Sequence, residues 1–473
     1  MFMITFDSVT LKSWLEENRE FLQGARIQKI QQPTRRELIF TLRNNGETRK
    51  LYVNIYPQFF HVCFMSRENE EMRSLEIPQK PPMFCMLLRK YLENARISKV
   101  NQPEFERILE FYVETYNELS EKIYLCLAIE LMGKHSNVIL YNYDTNLIIG
   151  CAHNVGAEKS REREMAGGLP YVYPAKQNNF WYSAENSLSS LKGSVNTNID
   201  NCFAEIISKD KFLKLKENYR QITLKRLKKY KNSLTQMLTQ RVSPEKSEKY
   251  RLFGDLIMAN LYNNSDFSKS IEVFDYENNK NISIELDETK TLKDNANRFY
   301  KLYNKAKTSN LKLDELITSL NAEKLYLEQL LYSIESAENI ADLYAISSEI
   351  EPEKKLPAPQ KSALFPKEIK GENYTIYIGK NNRQNDYIVS KLAKDDDLWF
   401  HTKDCAGSHV LLRAADKNDR LILKCAKLAK ENSSGAKSSK IGVIHTFAKY
   451  LKKPPKANLG YVTYSHEKEI VID

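Results

Sequence analysis

Residues 22–33 read LQGARIQKIQQP, and residues 92–103 read LENARISKVNQP. Seven of the twelve positions are identical between the two stretches. Both follow a run of helical periodicity. Upstream of the first, Leu11, Trp14, Leu15, Phe21 and Leu22 fall on one helix face, with Asp7 as a candidate N-cap and Gly24 as a candidate stop. Upstream of the second, Pro81-Pro82 opens an apolar-periodic helix over 83–92. Strand-like runs succeed each copy, at 37–43, 50–55 and 59–64 after the first, and at 107–114, 123–131 and 137–141 after the second. The pattern predicts a duplicated α/β unit inside one domain. The same offset of seventy sets Arg36-Glu37 opposite Glu106-Arg107, an inverted charge pair.

With 473 residues the chain exceeds one ordinary core, so several domains are expected. The first spans 1–175, and a polar, weakly patterned stretch at 176–212 reads as a linker or a degenerate helical module. Beyond it Leu224, Leu227, Lys231, Leu234 and Leu238 keep a 3-4 spacing, and the helix is expected to run on through 250–256. A second seam comprises Leu313, Leu316, Leu320, Leu327, Leu330 and Ile334. Each seam needs a partner in the same chain, which predicts an antiparallel two-helix arm over 213–350 with an apical hairpin at about 263–290. Four prolines in 351–366 mark a stiff linker, and 367–473 reads as a last α+β domain with short strands and a helix near 420–430. The fold class is thus α+β and multidomain.

Residues 1–7 lack a basic leader segment, and no apolar run approaches the roughly 18 residues of a membrane span. A cytoplasmic protein without membrane attachment is expected. The seven cysteines form no CxxC pair, which speaks for reduced thiols rather than disulfides or zinc. A formal charge of +10 is modest for this length, and its distribution says more. Nine Lys/Arg face one acid between Lys211 and Lys231, and 433–456 holds six lysines and no acid. Such blocks suit phosphate contacts, which gain from counterion release, although solvated faces look the same on charge alone.

The densest cluster of reactive residue types is Gly379-Lys380-Asn381-Asn382-Arg383-Gln384-Asn385-Asp386 together with 397–410, DLWFHTKDCAGSHV. His401, Asp404 and His409 could be metal ligands, but their separation is set by a loop and no acidic pair at helical spacing supports them. Ser408 beside His409 makes a poor nucleophile and base, since adjacent strand residues point to opposite faces. An RNA-binding surface fits better, with Lys380, Arg383 and Lys403 on phosphates and Trp399, Phe400 or His401 as a stacking plane. Trp399 as plain core is the competing reading. In ELMGKHSN, 130–137, Gly133 suits a positive φ and Ser136 or Asn137 a bond to the turn backbone.

These stretches, with PPMFCMLLRK at 81–90, resemble the NFACT family from end to end. The resemblance implies an N-terminal tRNA-recruiting domain, a coiled-coil arm and a C-terminal RNA-binding domain in this order. It implies binding to large ribosomal subunits, through rRNA and ribosomal proteins, that still hold stalled peptidyl-tRNA. It further implies recruitment of tRNA, alanyl-tRNA in bacteria, for untemplated tailing of the nascent chain. No cofactor or metal is expected, and no catalytic residue, because the ribosome would form the peptide bonds. The family's Asp-Arg pair falls on Glu106-Arg107 and its acidic residue after the first strand on Asp7. Glu in place of Asp is a departure, one methylene longer, and 180–212 is too short and too poorly patterned for the family's helix-hairpin-helix module. RNA contacts are expected at Lys380, Asn381, Asn382, Arg383, Trp399, His401, Lys403, Ser408 and His409, and at Lys449, Lys452 and Lys453. Two other readings stay open: a relative that binds the subunit without tailing, and a fibronectin-binding surface adhesin. A glycosylase, suggested by fold kinship, would need an N-terminal proline that Met1-Phe2 does not supply.

Overall fold

The computed structural model describes residues 6–103, 106–116, 121–156, 158, 163–175, 188, 192–262, 266–276, 278–352, 365–455 and 457–472. The chain divides into two compact units, 1–211 and 212–473.

In the first unit α1 (Ser8–Leu22) leads into β1 (Arg26–Thr34), β2 (Glu37–Asn44), β3 (Glu47–Asn54) and β4 (His61–Phe64). After the short α2 (Arg67–Arg73) the pattern recurs as α3 (Met83–Leu92), β5 (Arg96–Asn101), β6 (Ile108–Tyr116), β7 (Lys122–Glu130), β8 (Asn137–Asn142) and β9 (Ile148–Cys151). All nine strands form one antiparallel sheet, ordered β4-β3-β2-β1-β5-β6-β7-β8-β9. The copies meet at β1 and β5, where Arg26 pairs with Arg96, seventy residues on. The bonds around that pair are reciprocal. Gly24 N–H donates to Ile97 O at 2.8 Å and Asn94 N–H to Ile27 O at 2.7 Å, while Ile27 and Ile97 donate to Ala95 and Ala25. Gly24 and Asn94 both take positive φ, the conformation that lets the chain leave the helix and enter the strand. Arg19 reaches across to Val100 O and Arg89 to Ile30 O, again as equivalents. The duplication is therefore a local two-fold.

It is broken by one residue. Arg26 faces Arg43 in β2, whereas Arg96 faces Glu114 in β6, so the offset is seventy in the first strands and seventy-one in the second. Ile55 N–H donates to Arg36 O at 2.8 Å, and Leu131 N–H donates to Arg107 O at 2.8 Å. The counterpart of Arg107 is hence Arg36, and the inverted charge pair read at a constant offset is corrected to arginine opposite arginine.

One face of the sheet packs α1 and α3 through Leu11, Trp14, Leu15, Leu22, Phe84, Leu88 and Leu92. Ile199 and Phe203, from the first turns of α4 (Val195–Gln240), join the same core. The stretch at 176–212, expected as a linker or a degenerate helical module, is helical from Val195 onward, and its parts at 176–187 and 189–191 lie outside the described residues. Asp200, on the buried side of these turns, accepts from the fully buried Arg73 at 2.6 Å, from Ser66 N–H and from Asn69.

In the second unit α4 runs antiparallel to α6 (Leu292–Ser336). Arg241 meets Asp314 at one end, and Lys216 donates to Glu335 O at the other. Between them are α5 (Pro244–Ala259) and the hairpin of β10 (Ser270–Asp275) and β11 (Lys280–Glu285), which packs on α5 and α6 through Ile271, Val273 and Ile284. The first helix does not run on to 256. It ends at Gln240, because Pro244 supplies no N–H to a preceding turn and Ser243 caps a new helix instead, accepting from Lys246 N–H. Asn310 bridges the break, bonding both N–H and C=O of Val242. Of the expected seams, Leu227, Leu313, Leu327, Leu330 and Ile334 are buried, while Leu238 and Leu316 are about half exposed, at 50% and 49%. A two-helix arm covers only one side of each helix.

After α7 (Ile340–Ile350) most of the proline-rich stretch lies outside the described residues. The last domain follows as β12 (Lys367–Lys370), β13 (Tyr374–Ile378), α8 (Asn382–Tyr387), β14 (Leu398–Thr402), β15 (Val410–Ala414), α9 (Asp419–Glu431), β16 (Ile441–Phe447), the short β17 (Leu451–Lys452) and β18 (Thr463–Tyr464), and β19 (Lys468–Ile472). Its main sheet is ordered β12-β13-β15-β14-β16-β19, with α9 on one face and a smaller core of Ile388, Trp399, Leu411 and Ile444 on the other.

Candidate nucleic-acid interface

Asp7 and Glu106-Arg107 are nearly a hundred positions apart, and a single side chain brings them together. The Gln102 amide donates to Ser8 O at 2.9 Å and to Glu106 O at 2.8 Å, tying the start of α1 to the turn before β6. Asp7 caps α1, accepting from Thr10 N–H at 2.7 Å. The half-buried Arg107 guanidinium lies 5.3 Å from the Phe60 ring centroid. Burial pulls its pKa down from the ordinary arginine value, while the carboxylates of Asp7 and Glu106 push it back up. Beside it the 130–137 turn forms as its residues require: Gly133 has φ +63°, and Ser136 Oγ accepts from Met132 N–H at 2.8 Å. A guanidinium over an aromatic ring, with two carboxylates in its field, has the chemistry to meet a phosphate or a base edge. Gln102 and Phe60 were missed from sequence. The Gln-Pro step shared by 32–33 and 102–103 was the available signal for Gln102.

In the C-terminal domain five of the twelve expected RNA contacts are buried. Asn381 caps α8 through Gln384 N–H, and Gln384 returns a bond to Lys380 N–H. Gly379 is needed because a Cβ there would stand 2.3 Å from Asn385 Oδ1. Asn385 in turn bonds the backbone of Gly407 and His409, which lock the 405–409 loop onto α8. Asn382 donates to Glu349 of α7 at 2.9 Å, Arg383 holds Ser348 and Glu349, Lys380 meets Glu338, and Gly407 N–H donates to Gln329 of α6 at 2.6 Å. The 379–386 motif is thus a joint between this domain and the arm base. Asn381, Asn382, Ser408 and His409 are buried, and Trp399 is 1% exposed, so none of these offers RNA a surface. The expected stacking plane at Trp399 is corrected to core. Its ring packs against His401, His409 and Tyr464. Burial holds His401 down at about 4 and His409 well below the usual histidine range, so both are neutral at pH 7. Lys403 is exposed and pairs with Glu469 at 2.7 Å. Among the described residues no three metal-capable side chains converge, and no helix is long and apolar enough to cross a membrane.

Glu349 is the centre of the joint. Burial pushes its carboxyl pKa up, opposed by Asn382, Tyr326 and Arg383. Glu349→Ala should leave Asn382 and Tyr326 without their shared acceptor and cost about 1–3 kcal/mol, the range for stranding a buried hydrogen-bonding group. Faster limited proteolysis between the arm and the C-terminal domain would report it. An unchanged cleavage rate would show that the domain is held by other contacts.

The profile described as NFACT N-terminal and middle domains matches residues 7–193 and 180–364, and that of the NFACT protein RNA binding domain matches 363–464. The chain belongs to the NFACT family. NFACT relatives align over its whole length. It is 27% identical to Rqc2 homolog RqcH of Bacillus subtilis, with 99% of this chain and 98% of that protein covered, and 28% identical to Rqc2 homolog RqcH of Streptococcus pneumoniae, with 99% and 97% covered. The first alignment spans 566 positions, so the relative carries segments that this shorter NFACT chain lacks. Among solved structures, the N-terminal part of a fibronectin/fibrinogen-binding protein from Streptococcus suis matches 37% of the chain and 62% of its own at 34% identity and a TM-score of 0.34. With RqcH proteins alongside it end to end and an NFACT RNA-binding domain, the chain is a ribosome quality control factor.

Proposed function

We propose that the protein binds large ribosomal subunits obstructed by peptidyl-tRNA and recruits tRNA, alanyl-tRNA in a bacterial host, for untemplated C-terminal tailing of the stalled chain. The observation that carries the tRNA step is that Gln102 ties the start of α1 to the turn before β6, which gathers the carboxylates of Asp7 and Glu106 around the half-buried Arg107 guanidinium. The protein positions substrates, and the ribosome supplies peptidyl transfer. Subunit binding falls to the C-terminal domain and to the basic stretch of α4, where Glu217 is the one acid among nine cations between Lys211 and Lys231.

The test is to purify the tagged protein from cells, sediment it through a gradient and sequence its RNA. Co-sedimentation with free large subunits, carrying large-subunit rRNA and one tRNA species, is the expected result. A protein that tracks only intact ribosomes would contradict it. Subunit RNA without tRNA would favour a relative that binds and does not tail, a reading that Glu106 supports by standing where the family has Asp. Labelling on the surface of intact cells would instead favour the adhesin.

A further inference from the structure

Flanking the β17–β18 hairpin are a partly exposed ring, Tyr450, and an exposed one, His466, where Trp399 is buried. Tyr450 stacks on His466, with centroids 4.3 Å apart and planes 26° from parallel. Lys449 sits over the same Tyr450 ring at 5.2 Å and over Phe447 at 5.6 Å. Tyr464, opposite Leu451 in the hairpin, packs its inner side on the buried Trp399 and leaves 41% of its surface open. The platform is fixed from beneath. Thr446 Oγ1 donates to Ser465 O at 2.9 Å, Ala448 N–H donates to Asp397 O at 2.9 Å, and His466 holds φ +55°, an uncommon state for a side-chain-bearing residue.

Charge separates this surface from the other candidates. Lys380, Arg383, Lys403 and Lys453 are each committed to a carboxylate of the chain, on Glu338, Glu349, Glu469 and Asp386. Among the described residues Lys449 and Lys452 are in no ion pair, and both are exposed. Two carboxylates lie nearby: Glu467, next to His466 in the chain, and Asp404 both act on Tyr464, whose phenol pKa is raised first by burial and then by these charges. Lys449 and Lys452 are thus cations outside any ion pair beside a stacked pair whose outer ring, His466, is exposed, the combination that single-stranded nucleic acid uses and that duplex RNA, whose bases are already stacked, does not.

We infer that Tyr450 and His466, with Lys449 and Lys452, form a binding site for unpaired RNA nucleotides, in which a base stacks on the Tyr450–His466 pair and the flanking phosphates meet the two lysines. This rests on the RNA-binding reading above and adds to it the strandedness of the RNA and the residues that read it.

The test uses the full chain and a fluorescein-labelled uridine-rich 12-nucleotide RNA, single-stranded or in a duplex. The wild type should prefer the single strand. Tyr450→Leu and His466→Leu should each weaken single-strand binding about five- to a hundredfold, the range for one base stack, and Tyr450→Phe should retain it. Removing Lys449 and Lys452 together should lower the salt slope by about 1.4, or 0.7 for each lost phosphate contact on a single strand. Equal or tighter binding of the duplex, or unchanged single-strand affinity in both leucine variants, overturns the inference. So does a Tyr450→Leu chain that loses large-subunit sedimentation at unchanged RNA affinity, which assigns the platform to a ribosomal protein. A wild type that neither binds RNA nor sediments with subunits removes the proposed function along with this site, whereas a wild type that sediments normally while the platform variants bind RNA unchanged removes the site alone.

Discussion

Replacing Glu106 and Arg107 together by alanine is expected to abolish tRNA co-purification and leave large-subunit sedimentation nearly intact. The fold at that turn does not depend on the two side chains, since Arg107 contributes its backbone carbonyl to Leu131 N–H and Glu106 contributes its carbonyl to Gln102. What the double variant removes is a half-buried guanidinium and the carboxylate beside it. A hydrogen bond to a charged group contributes roughly 1.5–3 kcal/mol, so the loss of Arg107 alone predicts a ten- to hundredfold weaker complex. Glu106→Asp is the finer probe because it preserves charge and draws the carboxylate back by one methylene. More bound tRNA or longer tails would show that the natural Glu weakens the site, and less would show that the surrounding groups have adjusted to the longer reach. Unchanged tRNA content in both variants would leave Glu106 and Arg107 with no part in tRNA binding and remove the tRNA assignment.

The duplicated domain was legible because its signal is local and repeated. Ala-Arg-Ile and Gln-Pro recur with the helix ahead and the strands behind; six of the nine strands had a strand-like run to announce them, and β1 and β5 coincide with the repeat itself. The one-residue insertion was not legible, because β2 and β6 share too few identities to reveal that their register has slipped against β1 and β5. The long arm was read correctly as two antiparallel seams, but the break at 241–243 depends on Pro244, whose effect on the preceding turn outweighs the leucine spacing around it. In the C-terminal domain the sequence singled out two polar segments as an RNA surface, and much of what they carry is buried or bonded to the arm base. Trp399 and Phe400 lie on opposite faces of β14, and both faces are covered, one by α9 and the other by Ile388 and its neighbours. Composition cannot show that a sheet is covered twice. Nor can it show that Asn382 and Arg383 face Glu349, since the partner sits on a helix, α7, that sequence periodicity folded into the end of the arm.

Asp200 on α4 and Arg73 on α2 should prove the costliest single positions in the N-terminal unit. Arg73 is 2% exposed and Asp200 1%, so both charges have left water and depend on each other. Arg73 donates to the Asp200 carboxylate at 2.6 Å and to its backbone carbonyl at 3.0 Å, and its guanidinium lies 5.0 Å from the Tyr52 ring centroid. Asp200 also receives Ser66 N–H and Asn69, which satisfy its second oxygen. Truncating one partner strands the other charge in the core, at a cost of about 3–5 kcal/mol. Arg73→Met and Asp200→Asn should therefore each speed hydrogen exchange in β4 and in the first turns of α4 by two to three orders of magnitude, because local opening there must break the pair. The double variant should be less destabilised than the sum of the two, since neither side then retains a buried, unanswered charge. That non-additivity is the decisive reading: purely additive effects, or exchange within threefold of wild type in either single variant, would mean that α4 is held by the packing of Ile199 and Phe203 and that the ion pair contributes little to its attachment.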